Sequence, residues 1–571
     1  MVDNISTCSP FRIQPRQPQA GIILADANKR AIWLVPAPSG PSQPGIQDTL
    51  VPVENSNRSI GDAPYPTPPS RRDVLRGSLA LAALQAAEAG GKEPGAPRPN
   101  LLFLLSDQHR HDAAGYAGAG HASTPHLDAL AASGTRISDA YCQIPLCVPS
   151  RQSLLTGQLA SSHGNFRNRH AKLADEHTFA HDFAEAGYAT TWIGKTHCNT
   201  SGFSTSIGQE DLFRAFAKEH EGARMPEGPV GGKRARIPTL VPLNPGYLGA
   251  GPGPLFRMEE HVAARACREL EQANTDGEER PFLLVASFLN PHPPLFPPAD
   301  YLELYRDADL PYADGYRDRS AEPFRDLQRR RRTSRWKALD AAQVRNITRA
   351  YYASVAWMDH CVGQVLACLQ RLEADGKTKR DTLVVYSSDH GEMLGEHGLW
   401  QKRALFDGAT RVPLILRLPG RVAAGRVLDR VVEHLDLVRT LYELCGVECG
   451  LATDGRSFAP ALLGSEQAWQ DRAHMELTAT HGLPDPADLM SLEDKPAAGF
   501  WALRQDDWKF IEHSPEERAL YNLREDPDEL TNRIDDPAQA DRIAAMRQAL
   551  LARNPAKWAF HRGEGTVGER R

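Results

Sequence analysis

A thiol and a guanidinium lie close together at Cys147 and Arg151, inside the stretch Pro145-Leu146-Cys147-Val148-Pro149-Ser150-Arg151-Gln152-Ser153-Leu154-Leu155-Thr156-Gly157. Elsewhere carboxylates, imidazoles and amines recur where apolar runs end: Asp107-Gln108, Lys195 and His197, His292, and Asp389-His390, with Lys402 a little further on. Side chains of these types can hold a cation, bind an anion and move a proton. Singly, each has a plainer explanation. An Asp after a strand often caps a helix, a His is commonly a satisfied polar residue, and a Lys on a loop is usually solvated. Their joint placement is what points to an active site.

That placement comes from the elements. Leu101-Leu102-Phe103-Leu104-Leu105 is a continuous apolar run ending at Ser106-Asp107-Gln108. Such a run reads as a strand buried on both faces, the kind found in parallel sheets. The design recurs: Tyr188 to Ile193 ends at Gly194-Lys195-Thr196-His197, Pro281 to Phe288 at Asn290-Pro291-His292, Thr382 to Ser388 at Asp389-His390-Gly391, and Val412 to Leu418 at Pro419-Gly420. Helical patterns lie between them, at Thr124 to Gly134, Phe179 to Gly187, His261 to Ala273 and Ala341 to Glu373. Alternating strands and helices imply an α/β sheet, and in such sheets ligands gather beyond the carboxyl ends of the strands.

The cysteine stretch closely resembles the type I sulfatase signature, Cys-x-Pro-Ser-Arg followed by Thr-Gly, with Val148 where that family more often has a small residue. The resemblance implies that a maturase oxidises Cys147 to formylglycine. A thiol is a poor group for displacing an alcohol from a sulfate ester and then releasing sulfate. An aldehyde hydrate offers two hydroxyls on one carbon, one to attack sulfur and one to expel sulfate afterwards. Arg151 would hold the hydrate and the anionic ester through its forked donors. The same resemblance assigns Asp107, Gln108, Asp389 and His390, with the oxygen formed at Cys147, to one divalent cation. Carboxylates and an amide carbonyl favour a hard ion, Ca2+ first and Mg2+ next, and the imidazole leaves room for Mn2+. Lys195 and His197 match the family's Gly-Lys-x-His element, as a sulfate-binding amine and a contact to the formylglycine hydroxyl. His292 matches the histidine that protonates the leaving oxygen, and Lys402 the second sulfate-binding lysine. His109, His111, His163, His170 and His397 flank these elements and are assigned supporting or surface roles.

Many sulfatases carry Asp-Asp and Asp-Asn where this chain has Asp-Gln and Asp-His. The latter pairs also resemble phosphonate monoester hydrolases of the same superfamily, although those tend to lack the lysine at Lys195. The expected activity is therefore hydrolysis of a sulfate monoester of a carbohydrate, small alcohol or aryl compound. The alternatives are a phosphonate monoester or phosphodiester hydrolase, and an unmodified, non-catalytic sulfosugar-binding homologue.

The resemblance runs from about residue 98 to 555. It includes Ser123-Thr124-Pro125-His126-Leu127-Asp128, the strand–turn–strand pattern Leu503 to Phe510, and Leu520-Tyr521-Asn522-Leu523. It implies an α/β, alkaline-phosphatase-like fold: a large mixed sheet flanked by helices, with a smaller C-terminal domain containing an antiparallel sheet. The expected divisions are a catalytic domain over 98–455, a C-terminal subdomain with sheet and helix over 456–560, and a tail over 561–571. Residues 200–255 and 300–340 fit no core element, and the second holds the basic run Arg329 to Arg332, which would either line the entrance or be solvated.

Residues 1–69, rich in Pro, Ser, Asn and Gly, read as disordered or as the product of a wrongly chosen start. Over 70–97, Ser70-Arg71-Arg72 precedes a short apolar stretch from Ser78 to Ala87 and then Ala87-Glu88-Ala89, the order of a twin-arginine export signal. A periplasmic or extracellular location follows from it. A net charge of -6 gives no general affinity for nucleic acid. No apolar run reaches the roughly 20 residues of a membrane span. The nine cysteines, an odd and small number, are no disulfide scaffold, although Cys445 and Cys449 are spaced closely enough to pair.

Overall fold

The apolar runs become central strands because water can be excluded from both their faces at once. In this computed structural model the described residues are 97–553 other than 169–175, 209–210, 212–253, 276–279, 294, 296, 311–323, 334–338, 466–467, 479–498 and 515. Along the chain come β1 (Asn100–Asp107), β2 (Thr135–Tyr141), β3 (Ala189–Gly194), β4 (Thr205–Gly208), β5 (Phe282–Pro291), β6 (Thr382–Ser388), β7 (Arg411–Val412), β8 (Leu414–Arg417) and β9 (Arg426–Glu433). Among the described residues they form one nine-stranded sheet in the order β4-β3-β5-β1-β6-β8-β2-β7, with β9 beside β2. The stretch from β4 to β6 is parallel throughout, while β8 lies antiparallel to both β6 and β2.

Successive side chains of β1 alternate between two cores, as the period of a strand requires. Leu102 and Leu104 pack with α4 (Pro254–Thr275) and α6 (Ala341–Ala374), through residues such as Val262, Ala266, Val355 and Val362. Leu101, Phe103 and Leu105 face the other layer, where α2 (Cys147–Thr156), α3 (Phe179–Glu185) and α7 (His434–Cys445) contribute Leu154, Leu155, Phe183 and Val438. The start of α6 is set by Asp340, whose carboxylate accepts the Gln343 amide at 2.8 Å. On the first of these faces α1 (Pro125–Ser133) also adds Leu127 and Leu130.

Two expectations change. The run Val412 to Leu418 is not one strand: it breaks at Pro413, which has no amide to give to a ladder and whose carbonyl instead accepts Ser387 Oγ at 2.9 Å. Residues 200–255 and 300–340 do contain core elements: Phe324 and Leu327 are buried in an apolar cluster, and β4 forms the edge of the main sheet. Four residues are too few for a readable periodicity. Cys445 and Cys449 are both free thiols, as are the other described cysteines.

A second sheet, β10 (Arg472–Thr478), β11 (Gly499–Gln505), β12 (Trp508–Ser514) and β13 (Glu517–Asn522), is antiparallel. The expected turn between Leu503 and Phe510 is there, with Asp506 in the left-handed region at φ 49°. One face is covered by α8 (Ala540–Arg553), which packs Met546 and Leu550 on Leu503, Phe510 and Leu520. From the other side Lys509 reaches the Asp407 and Glu529 carboxylates at 2.7 and 2.9 Å, and all three are buried. The signal-like segment within 70–97 and the tail over 561–571 lie outside the described residues, apart from residue 97 itself. Among the described residues no helix is long and apolar enough to cross a membrane.

Candidate active site

Four neighbouring parallel strands end at one edge of the sheet, and each delivers part of the site. In sheet order these are β3 with Lys195 and His197, β5 with His292, β1 with Asp107-Gln108, and β6 with Asp389-His390. The fifth contribution is the first turn of α2. All ten residues of this helix are buried, and Leu154 and Leu155 seat it in the core, which leaves Cys147 facing the strand ends. The Val148 amide donates to Asn168 Oδ1 at 3.0 Å and Ser150 Oγ donates to the Asp389 carbonyl, so the start of the helix is tied on two sides.

Apart from Gln108, which is linked through Lys402, the residues expected at the site gather around Cys147. Its Sγ lies 2.8 Å from Lys402 Nζ, 3.3 Å from His390 Nε2, 3.6 Å from Lys195 Nζ and 3.9 Å from Asp107 Oδ1. His197 and His292 lie near enough to the thiol for it to raise the proton affinity of both imidazoles. Arg151 lies between the two aspartates, with Nε 2.8 Å from Asp389 Oδ2 and Nη2 3.6 Å from Asp107 Oδ2. Its Nη1 donates to Ser287 Oγ at 2.8 Å and to the Lys195 carbonyl at 3.1 Å, while Nη2 is buried and makes no hydrogen bond among the described residues. Lys195 also donates to Asp107, and Lys402 donates to Gln108 Oε1 at 2.9 Å. Ligand atoms of Asp107, Cys147, Asp389 and His390 all lie within 4.8 Å of one another.

The electrostatics follow from packing these charges away from water. Burial would raise the Cys147 thiol, but Lys195, Lys402 and His390 outweigh it and hold the thiol well below its ordinary range. Asp107 is likewise held below the usual carboxylate range, against its burial and the nearby Cys147, by Lys195, His292 and Lys402. Asp389 is pushed up by burial and by Asp107. Burial, with Lys195 second, pushes His197 down to about 4, and burial with Lys402 lowers His292. The site is thus a dense, buried set of charged groups, with Lys195, Lys402 and Arg151 set against Asp107 and Asp389 around Cys147.

Some supporting groups carry no sequence signal of their own. Glu392 is buried; it accepts the side-chain amide of Gln108 and the backbone amides of Leu394, at 2.9 Å, and Gln401. It therefore binds a strand-end residue to the loop that carries Lys402. Glu259, at the start of α4, accepts the amides of Leu289 and Asn290 and the Asn290 side chain at 2.9–3.1 Å, which fixes the corner leading to His292. Gln108 has φ 70°, a conformation that costs a non-glycine residue on the order of 1 kcal/mol. It is held there by Tyr351 Oη donating to its carbonyl at 2.8 Å and by its own amide donating to Asp389 Oδ1 at 3.1 Å. We expect Glu392→Ala to leave two buried donors and one part-buried donor unmet, at up to about 1–3 kcal/mol each, and so to lower the thermal midpoint together with the rate. Calorimetry beside initial-rate assays checks this, and a stable, fully active variant would refute it.

Of the flanking histidines, His109 is buried against Tyr386 Oη at 2.7 Å, His163 meets Ser153 Oγ at 2.9 Å, and His397 stacks on Phe406 with ring centroids 3.9 Å apart. None of these contacts is with Cys147. His170 lies outside the described residues.

Comparison with known proteins gives the family. The family model described as Sulfatase matches residues 99–447, and one described as N-sulphoglucosamine sulphohydrolase, C-terminal, matches residues 395–555. An arylsulfatase of Clostridium perfringens is 28% identical, over 80% of this chain and 94% of that protein. A choline-sulfatase of Rhizobium meliloti is 29% identical, over 77% of this chain and 83% of that protein. Among solved structures, a phosphonate monoester hydrolase of Silicibacter pomeroyi superposes with a TM-score of 0.64 at 26% identity, covering 80% of this chain and 95% of that one. Since the first family model spans more than half of the chain, the protein belongs to the sulfatase family of the alkaline-phosphatase-like superfamily and is a sulfuric ester hydrolase.

Proposed function

We propose that the protein hydrolyses a sulfate monoester of a carbohydrate, small alcohol or aryl compound, using formylglycine made from Cys147 and one divalent cation. The observation that carries this reading is the ring of Lys402, His390, Lys195 and Asp107 within 2.8–3.9 Å of Cys147 Sγ, at the one cysteine set in a sulfatase signature.

The residues fit a hard cation. Asp107 Oδ1 and Asp389 Oδ1 lie 3.8 and 3.6 Å from His390 Nε2. Ligands about 2.3–2.6 Å from one ion stand roughly 3.3–3.7 Å apart at right angles. Asp107, Gln108, Asp389 and His390 would hold the ion, Ca2+ before Mg2+ or Mn2+. When bound, such an ion draws charge from a sulfate oxygen and polarises a hydroxyl. The formylglycine hydrate would supply one hydroxyl to bond to sulfur and another whose deprotonation lets sulfate leave.

The chain's own side chains do the remaining work. Lys195 and Lys402 bind sulfate oxygens, and being already in place they need no reorganisation as charge develops. Arg151 Nη2, which among the described residues makes no hydrogen bond, offers a further donor to the hydrate or the ester. His292 gives the leaving oxygen its proton; an anionic ester beside it raises its proton affinity, which burial and Lys402 otherwise lower. His197 holds the hydroxyl at the position of Cys147. A maturase acting on the Cys-x-Pro-Ser-Arg segment, and export through the Arg71-Arg72 segment to the periplasm or beyond, belong to the same reading.

Two measurements test it. From the native host, the peptide containing Cys147 should be about 18 Da lighter than its thiol form, with sulfur replaced by oxygen and two hydrogens lost. A wholly unmodified thiol would favour a sulfosugar-binding protein. Turnover of 4-nitrophenyl sulfate should exceed that of a phenylphosphonate ester by at least about tenfold in kcat/KM. The resemblance to phosphonate monoester hydrolases supplies the rival, and a strong excess for the phosphonate ester would establish it.

A further inference from the structure

We propose that Arg330 is a positioning residue for the reaction: from α5 (Arg325–Thr333) it clamps the backbone of the Lys402 loop and so aims the Lys402 amine at the sulfate. The inference rests on the role given to Lys402 above.

The loop needs such a clamp. Between β6 and β7 the chain places Leu394, His397, Gln401 and Arg403 at φ 47°, 53°, 64° and 72°, and none of these is glycine. Residues with side chains hold left-handed conformations only where their surroundings enforce them. Glu392 grips the loop from within, through the amides of Leu394 and Gln401. The outer grip comes from α5. Arg330 Nη2 donates to the Lys402 carbonyl at 3.0 Å, and Nη1 donates to the carbonyl of Arg403. Next to it, Arg331 Nε donates to the His397 carbonyl at 2.5 Å. Phe324 and Leu327 are buried in the same apolar cluster as Leu399, Leu405 and Phe406, so the segment is docked as well as bonded.

For Arg330 and Arg331 these bonds give a use other than the two weighed for the basic run. A solvated arginine would point at water, and one that reads substrate would keep its fork free. Arg330 instead commits both terminal nitrogens to two consecutive carbonyls, a spacing that a planar guanidinium spans and a single ammonium does not. Lys402 Nζ, on the residue so held, lies 2.8 Å from Cys147 Sγ and 2.9 Å from Gln108 Oε1.

The test is a double-mutant cycle on the matured, metal-loaded enzyme with 4-nitrophenyl sulfate, following kcat/KM and the thermal midpoint. Lys402→Ala should lose on the order of 100- to 1000-fold. Arg330→Met, which keeps the aliphatic stem, should lose roughly tenfold or more, and Arg330→Lys should recover only part of that. Adding Arg330→Met to Lys402→Ala should cost no more than about twofold further, because the clamp then has nothing to aim. A merely structural role would predict the same fractional loss in both backgrounds. The proposal is overturned if Arg330→Met keeps the parental rate, or if its loss carries over in full to the Lys402→Ala enzyme. A parental rate in Lys402→Ala alone would instead overturn the reading of the site on which the proposal rests.

Discussion

Cys147→Ala abolishes ester hydrolysis, with an expected loss on the order of a million-fold in kcat, the scale seen when an enzyme loses its nucleophile but keeps its binding groups. Cys147→Ser should be about as poor, because one hydroxyl can form the bond to sulfur but offers no second hydroxyl to break it. The fold should survive both changes. α2 is anchored by Leu154 and Leu155, whereas the Cys147 side chain makes polar contacts with Asp107 and Lys402. Initial rates on 4-nitrophenyl sulfate beside a thermal melt separate the two effects. Near-parental turnover in Cys147→Ala would mean that the nucleophile is elsewhere.

The second large effect is expected at Asp389, and here the structure dictates which variant to make. Asp389 Oδ2 accepts Arg151 Nε at 2.8 Å while Oδ1 accepts the Gln108 amide at 3.1 Å, and all three residues are buried. Asp389→Ala would leave the Arg151 charge without its nearest partner, at a cost of about 3–5 kcal/mol, so lost activity could simply be lost fold. Asp389→Asn keeps the volume and one acceptor. It should still lower kcat/KM by at least about a thousandfold, by weakening both the ion's hold and the placement of Arg151. Bound metal, measured by elemental analysis after dialysis, should fall with it. An Asp389→Asn enzyme with full metal content and full rate would remove Asp389 from the site.

The strands that build the site were legible because each is a long apolar run with an abrupt polar end. Asp107, Asp389 and Lys195 therefore stood out as residues placed by a strand. Lys402 could be named only by resemblance, since it follows a loop whose left-handed residues leave no trace in hydrophobic pattern. Glu392 and Glu259 were not singled out for a role at all, and Arg330 only as one member of a basic run at the entrance or in solvent. Each acts by hydrogen-bonding main-chain groups from elsewhere in the fold, and nothing in its own neighbourhood of the sequence records which amide or carbonyl it will meet. β4 was missed for another reason: a short edge strand buries too little to impose a pattern.

The register of the central strands has a consequence for the cation. Ser106 lies opposite Ser388 in the parallel pairing of β1 with β6, so the next residues, Asp107 and Asp389, leave the sheet side by side. Adjacent strands are about 4.8 Å apart, close to what two carboxylates need in order to share one ion. The bite of the site is thus inherited from the lattice spacing of the backbone. A one-residue deletion in either strand would move one carboxylate about 3.3 Å along its axis and turn it to the opposite face, so the main-chain ladder itself keeps the two carboxylates within reach of each other.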